Sequence, residues 1–445
     1  MMIMSKIMFV MPPMEGTTGI RLPLGIAYLS AVCKNAGHEA KCLDLSVGEK
    51  DLIKELELFN PDYVGFTCTT PTIQQAWRLC DEVKSWNKNV KTIVGGPHPT
   101  ALPDESISKD QVDYVIMHDG EANILHLLNS NPPVKSIIDI QEKINLDDLP
   151  LPDWSDFDVD KYWTVLYKGR IMPIMTSRGC PWNCIYCFKS LFGRTMRFRS
   201  PENVIAELKW LKRKYNPRVI EIIDDLFTVN RKRTLEICQM IIDEGLDLKI
   251  STPNGIRVDT VDREVLLKMK EAGFFLVAFG LESGSQDILN KIGKGTTIDQ
   301  GREAVRIAKE VGFEVMPSYQ IGLPFDTPVT IDETINFAIS NDTSYAQFFI
   351  TTPYPGTRVR DYVLANGGTI LVNDWSQYGH AQGKVFFEMP NLKKETVLKH
   401  YSKAYRKFYM RPKYIWRKAK DIRRLPQNFG MLFKYIGNFF GGADR

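Results

Sequence analysis

The chain of 445 residues contains no uninterrupted apolar run long enough to cross a membrane. Its opening, MMIMSKIMFV, lacks the charged-then-apolar-then-small order of a secretory signal and leads directly into a strand-like run. No G-x-G-x-x-G follows that run, which argues against a dinucleotide ligand. A second C-x2-C pair is missing as well, and a closed structural zinc site wants four ligands. Cys33, Cys42, Cys68, Cys80 and Cys238 are scattered through apolar segments and are expected as small buried hydrophobes. These absences suit a reducing cytosol. The hydrophobic content of 44% and charged content of 25% are those of a soluble globular protein, and the length implies two to three domains.

Against that background stands one dense cysteine motif. Cys180, Cys184 and Cys187 lie in SRGCPWNCIYCF, a C-x3-C-x2-C triplet after a strand-like apolar run at 171–176. Three thiolates at this spacing can hold three irons of a cubane [4Fe-4S] cluster. A fully protein-ligated cubane takes four cysteines, so the fourth iron is left open for a cofactor or substrate. A zinc knuckle and a chance grouping are the alternatives, and the missing partner pair weighs against the first.

The rest of the chain divides into four stretches. Residues 1–130 alternate strands (6–11, 39–45, 63–68, 91–94, 114–117) with helices (24–35, 49–59, 73–86, 121–128), the pattern of a parallel sheet covered on both faces. Ligands of such sheets bind at the carboxyl ends of the strands, where the strand order switches. The loops there hold Pro13, Thr69, Gly95, Gly96, His98, Gly120 and Glu121. Residues 131–170 form a connection, with the proline-punctuated LPLPDW at 149–154 marking the expected boundary. Residues 171–360 repeat the βα alternation six times, and 361–445 form a helical extension.

The cysteine loop, with Tyr186 before the third cysteine and Gly179-Cys180-Pro181 at the first, resembles the signature of the radical S-adenosylmethionine (SAM) superfamily. PLGIAYLSAVCKNAGHE at 23–39, GGPHPT at 95–100 and Asp-Gly-Glu at 119–121 resemble the cobalamin-binding half of its B12-dependent branch. The resemblance covers nearly the whole chain. It implies an α/β architecture: a Rossmann-like B12-binding domain, a partial (β/α)6 barrel and a helical extension. It also implies cobalamin, SAM and a [4Fe-4S] cluster as cofactors, and an external electron donor such as flavodoxin or ferredoxin. In the family mechanism a 5′-deoxyadenosyl radical activates a carbon that methylcobalamin then methylates. Ring formation, rearrangement or coupling is the second reading, and a cobalamin or iron–sulfur sensor is a third. The Asp-x-His-x-x-Gly motif that gives cobalt an axial histidine is absent, and for His98 loop structuring stands beside corrin contact.

Chemistry in such a barrel sits at the carboxyl ends of the strands. The resemblance assigns Glu282 and Ser283 (in GLESGS) to SAM, with Tyr186, Asp224 (in DDLF) and Gly322 as further cofactor contacts. Of the adjacent Asp224 and Asp225, one is expected to point inward and the other to order the loop. Arg302 and Tyr319 are weaker candidates, more often a helix-face residue and a core residue.

The overall charge of +4 hides an asymmetry: residues 401–445 carry +10 and eleven aromatics, leaving −6 for the first 400. Three readings of this tail stand: a helical cap on the barrel, a peripheral contact with anionic lipid on the inner membrane face, and nucleic acid, for which no recognition motif is present. A small molecule or a lipid is the expected substrate.

Overall fold

A computed structural model describes residues 4–14, 19–140, 143–378 and 383–417. The first unit carries six parallel strands: β1 (Lys6–Met11), β2 (Glu39–Asp44), β3 (Tyr63–Thr67), β4 (Lys91–Gly95), β5 (Tyr114–Ile116) and β6 (Ser136–Ile138). Their spatial order is β2-β1-β3-β4-β5-β6, so the order reverses between β1 and β3. Helices α1 (Leu24–Asn35), α2 (Leu52–Phe59), α3 (Ile73–Trp86) and α4 (Gly120–Ser130) cover both faces. Alternate residues of β1 serve different cores: Ile7 and Phe9 pack on one face, Met8 and Val10 on the other. That two-sided burial is why these strands are near-continuous apolar runs.

The expected connection is more than a linker. Ser136–Ile138 is the sixth strand of the sheet, paired with β5. Beyond it, Trp154, Phe157 and Tyr162 are buried in the main core. Asp156 accepts from the Cys42 backbone N–H at 2.8 Å, and the Tyr162 hydroxyl donates to Asp44 at 2.9 Å. The segment is a belt around the first unit.

The second unit is an open barrel of six parallel strands, each beside its chain neighbour: β7 (Ile171–Ile174), β8 (Val219–Ile222), β9 (Ile250–Ile256), β10 (Phe274–Glu282), β11 (Glu314–Ile321) and β12 (Gln347–Ile350). Helices α5 (Pro201–Tyr215), α6 (Arg231–Asp243), α7 (Arg263–Glu271), α8 (Ile298–Val311) and α9 (Pro328–Asn341) lie outside it. Each starts on a side chain that accepts from the first helical turn: Ser200, Asn230, Asp262, Thr297 and Thr327. Such caps satisfy backbone N–H groups that the helix itself cannot.

The C-terminal stretch closes the outside. Helix α10 (Lys394–Tyr409) lies along β12, and its tyrosines act as a surrogate strand. The Tyr405 hydroxyl meets both the N–H and the C=O of Phe348, and that of Tyr409 does the same for Ala346. Tyr401, Phe408 and Tyr414 are buried, as the cap reading of this stretch expected. Arg411, Lys413 and Arg417 gather around Asp342, whose carboxyl they help hold below its usual range against the opposing effect of burial. Residues 418–445, which hold +4 of the +10 behind the lipid reading, lie outside the described residues. No helix among the described residues is long and apolar enough to cross a membrane.

Candidate active site

The cysteine loop leaves β7 and is braced from below. Asp224 takes the Thr176 backbone N–H and hydroxyl and the Ser177 hydroxyl, the last at 2.6 Å. It is only 3% exposed, and burial pushes its carboxyl above the usual range despite these donors. Asp225 accepts from the Gly179 N–H at 3.1 Å. Both carboxylates therefore order the loop, and Asp224, expected to touch a cofactor, is a brace with its oxygens occupied. Gly179 has φ +97°, and a Cβ there would stand 2.4 Å from the Thr195 carbonyl oxygen, so this position requires glycine.

Further bonds fix the loop. Cys180 N–H donates to Gly193 O at 3.3 Å and Ile185 N–H to Ile292 O at 3.0 Å. The three thiols are free, Cys184 buried and Cys187 exposed, and the Lys189 ammonium lies 3.4 Å from Cys180 Sγ. Among the described residues no three His, Cys, Asp or Glu side chains converge on a single-ion site. A cubane asks instead for each thiolate on its own iron.

Across from the thiols, β10 ends at Glu282, a non-glycine residue with φ +63° at a shift in the β10–β11 register. Such a conformation costs of order 1–3 kcal/mol and persists only where the surroundings enforce it. Here they do: Lys294 Nζ donates to Oε1 at 2.9 Å and Gln320 Nε2 to Oε2 at 3.2 Å. Lys294 is itself buried and reaches to 3.4 Å from the Tyr186 hydroxyl. Burial opposes its charge, but Glu282 and the Cys184 thiol outweigh it and its pKa stands above the ordinary lysine range.

Other expected contacts are placed elsewhere. Ser283 is buried and bonded to Thr334 Oγ1 at 3.1 Å and to the Ser285 N–H, so it ties β10 to α9 and faces no open space. Gly322, with φ +82°, leaves room for α10: a Cβ would meet Val397 at 2.9 Å. Its N–H is taken by Asp326. Arg302 lies exposed on α8 beside Asp299, and Tyr319 is a core residue bonded to Asn341.

The first unit turns its strand-end loops toward this mouth. Pro13 follows β1 and Thr69 follows β3, on either side of the point where the order reverses, and Gly95 and Gly96 close β4 one strand further on. Gly96 has φ +102° and a Cβ would stand 2.9 Å from Cys68 O. Gly120 packs on Leu29, where a Cβ would lie 3.0 Å away. His98 is fully buried between Trp77 and Trp375, 3.3 Å from Thr70 Oγ1 and 3.4 Å from Glu105. These contacts place its ring inside the loop's packing. Glu121 is buried too, and both its oxygens accept from Arg178 at the root of the cysteine loop, at 2.6 and 3.0 Å. It is an inter-unit ion pair where a cofactor contact was expected. His118, also at this edge, is held at 2.6 Å from Ser190 O and 3.4 Å from Asp139.

Comparison with known proteins identifies the two halves. The model of the B12 binding domain matches residues 17–128, and that of the Radical SAM superfamily matches 174–338. An uncharacterized methyltransferase of Pyrococcus horikoshii is 37% identical, over 94% of each chain. The chain belongs to the cobalamin-dependent radical SAM family. An anaerobic magnesium-protoporphyrin IX monomethyl ester cyclase of Rubrivivax gelatinosus is 25% identical over 94% of this chain and 79% of its own. In fold, the chain resembles the radical SAM methyltransferase TsrM of Kitasatospora setae, with TM-score 0.71, 16% identity, and 90% and 91% of the two chains covered.

For a member of this family, the donor set fits its cofactors. The five cysteines outside the triplet are buried and lie apart in the apolar cores, so the triplet is the grouped thiol donor set among the described residues. Gly95 and Gly96 close β4, one strand from the β1/β3 switch, and both nearby histidines are already engaged, which suits a corrin without a histidine ligand from this edge. The sequence reading missed Lys294 and Arg178. A lysine between Gly293 (φ +67°) and Gly295 (φ +69°) was the available signal for the first. The second had none, since its partners are 57 and 59 residues away.

Proposed function

We propose that the chain is a C-methyltransferase acting on an unactivated carbon of a small-molecule or lipid substrate. Cys180, Cys184 and Cys187 hold the cluster, and Glu282, paired with Lys294, receives the polar groups of SAM beside Tyr186. Pro13, Thr69, Gly95 and Gly96 line the corrin site. Bound there, the cluster and cobalamin supply one-electron cleavage of SAM and a methyl carrier. The observation that carries the reading is the fixed cysteine loop facing both the Glu282–Lys294 pair and the switch edge of a parallel sheet. Anaerobically reconstituted protein, given SAM with a deuterated methyl group and a host lipid and metabolite extract, tests it. Expected are a labelled product and 5′-deoxyadenosine with S-adenosylhomocysteine in near-equal amounts. Deoxyadenosine alone with a new product would favour ring formation, the chemistry that the name of the cyclase relative makes the second reading.

The proposal includes an external one-electron donor of flavodoxin or ferredoxin type and a cytoplasmic setting. Between residues 177 and 199 stand five Arg or Lys and no Asp or Glu. Arg178, Arg197 and Arg199 have carboxylate partners inside the protein. Lys189, Arg194 and Arg358 instead rest on the backbone carbonyls of Trp182, Pro181 and Asn183. This cationic collar on the loop suits an acidic donor. Contact of the tail with anionic lipid stays part of the proposal.

A further inference from the structure

One arginine joins the two halves beside the cluster loop. Arg178 is 5% exposed and donates to Asp119 at 2.9 Å and to Glu121 at 2.6 and 3.0 Å, both from the first unit. The first unit also gives it a ring, with Tyr28 of α1 5.7 Å away; Phe192 of the cysteine loop lies 5.1 Å on. Arg197, also from the second unit, shares Asp119. Two arginines thus face two carboxylates, and the buried charges cancel across the boundary.

The position in the chain matters as much as the pairing. Asp119 and Glu121 flank the start of α4, at the carboxyl end of β5, on the edge that faces the barrel mouth. Arg178 stands two residues before Cys180, and the intervening Gly179 has no slack, being bonded to Asp225 and wedged against Thr195. Because Gly179 is pinned within the second unit, cutting the fork leaves the first thiol in place and frees the first unit to shift against it. An apolar contact of similar area could slide, whereas a two-pronged guanidinium–carboxylate fork has one register. Buried ion pairs add little net stability over apolar packing, so the selectable gain from this one is its register.

We propose that Arg178 is a positioning residue that sets the interval between the corrin edge of the first unit and the cluster of the second. It rests on the cofactor reading given above. The reaction that exposes it is methyl transfer from SAM to the two-electron-reduced corrinoid. The sulfonium methyl goes to cobalt's electron pair, S-adenosylhomocysteine leaves with the S–C electrons, and no proton or external substrate takes part. Reductive cleavage of SAM needs only groups of the second unit, and serves as the internal control.

The test uses the chain loaded with corrinoid and cluster, as wild type, Arg178→Lys and Arg178→Met. In R178M, 5′-deoxyadenosine formation should stay at the wild-type rate. S-adenosylhomocysteine formation should fall on the order of a hundredfold, the effect of a misplacement of about 1 Å. R178K, which keeps the charge and loses the fork, should lie between. The spin coupling between cob(II)alamin and the reduced cluster, read by electron paramagnetic resonance, should weaken and broaden in the same order. Equal losses of both reactions with unchanged coupling would make Arg178 a stabiliser only and overturn the proposal. If R178M does not fold, R178K carries the same comparison. A wild-type chain that cleaves SAM but forms no S-adenosylhomocysteine would sink the methyl-transfer reading instead, and the spin coupling would then decide the role of Arg178 alone.

Discussion

Removing the buried ammonium of Lys294 should be among the most damaging single changes at the barrel mouth. Lys294 and Glu282 are 6% and 7% exposed, and their charged atoms lie 2.9 Å apart. At an effective dielectric of about 20 their attraction is about 6 kcal/mol before desolvation. Breaking such a pair by deleting one partner costs about 3–5 kcal/mol, because the other charge is left buried. Lys294→Met should therefore lower the unfolding free energy by about 3 kcal/mol or more. Glu282 keeps Gln320, so part of its charge stays hydrogen-bonded and the lower end of the range applies. Replacing both, as Glu282→Gln with Lys294→Met, should recover about 2 kcal/mol of that loss. Denaturant unfolding of the cofactor-free wild type, the two single variants and the double variant measures the coupling. A coupling below about 0.5 kcal/mol would refute the argument, since the two changes would then be independent.

Three further outcomes are expected. Cys184→Ala should lose the cluster and all SAM cleavage while Cys238→Ala keeps both, and normal iron and sulfide content in C184A would contradict the ligand assignment. Reversing the collar with Arg194→Glu and Arg358→Glu should slow flavodoxin-driven SAM cleavage at low salt by about tenfold or more, and leave dithionite-driven cleavage unchanged; equal slowing with both reductants would remove the docking role. A chain ending after Arg417 should fail to float with anionic liposomes where the full chain floats at low salt, and identical behaviour would end the lipid reading.

The periodic elements were legible because their cause is local. The longer strands and helices of both units show their burial patterns within their own residues, and the cysteine triplet carries its chemistry in its spacing. What failed was the direction of individual side chains. Asp224, Ser283 and Glu121 stand at strand ends, where a polar residue serves a ligand or the protein equally well. Their partners Thr176, Thr334 and Arg178 lie 48, 51 and 57 residues away, beyond any local pattern. Gly322 shows the same limit: its missing side chain serves Val397 of a helix that the strand pattern cannot anticipate. The strand Ser136–Ile138 was missed because two half-buried residues and one buried residue beside prolines show no alternation.

The belt of residues 149–162 has a consequence for how the protein is made. Trp154 and Tyr162 complete the core of the first unit, and Asp156 and Asp153 bond the Cys42 and Ala27 backbones of elements made more than a hundred residues earlier. On the ribosome, the amino-terminal half must wait for this strap before its surface closes. A gene fragment cut at residue 130, where the periodic alternation stops, would release a half with an open seam. The heritable module, the piece that could move between proteins and still fold, ends just before β7, where the strap hands over to the barrel.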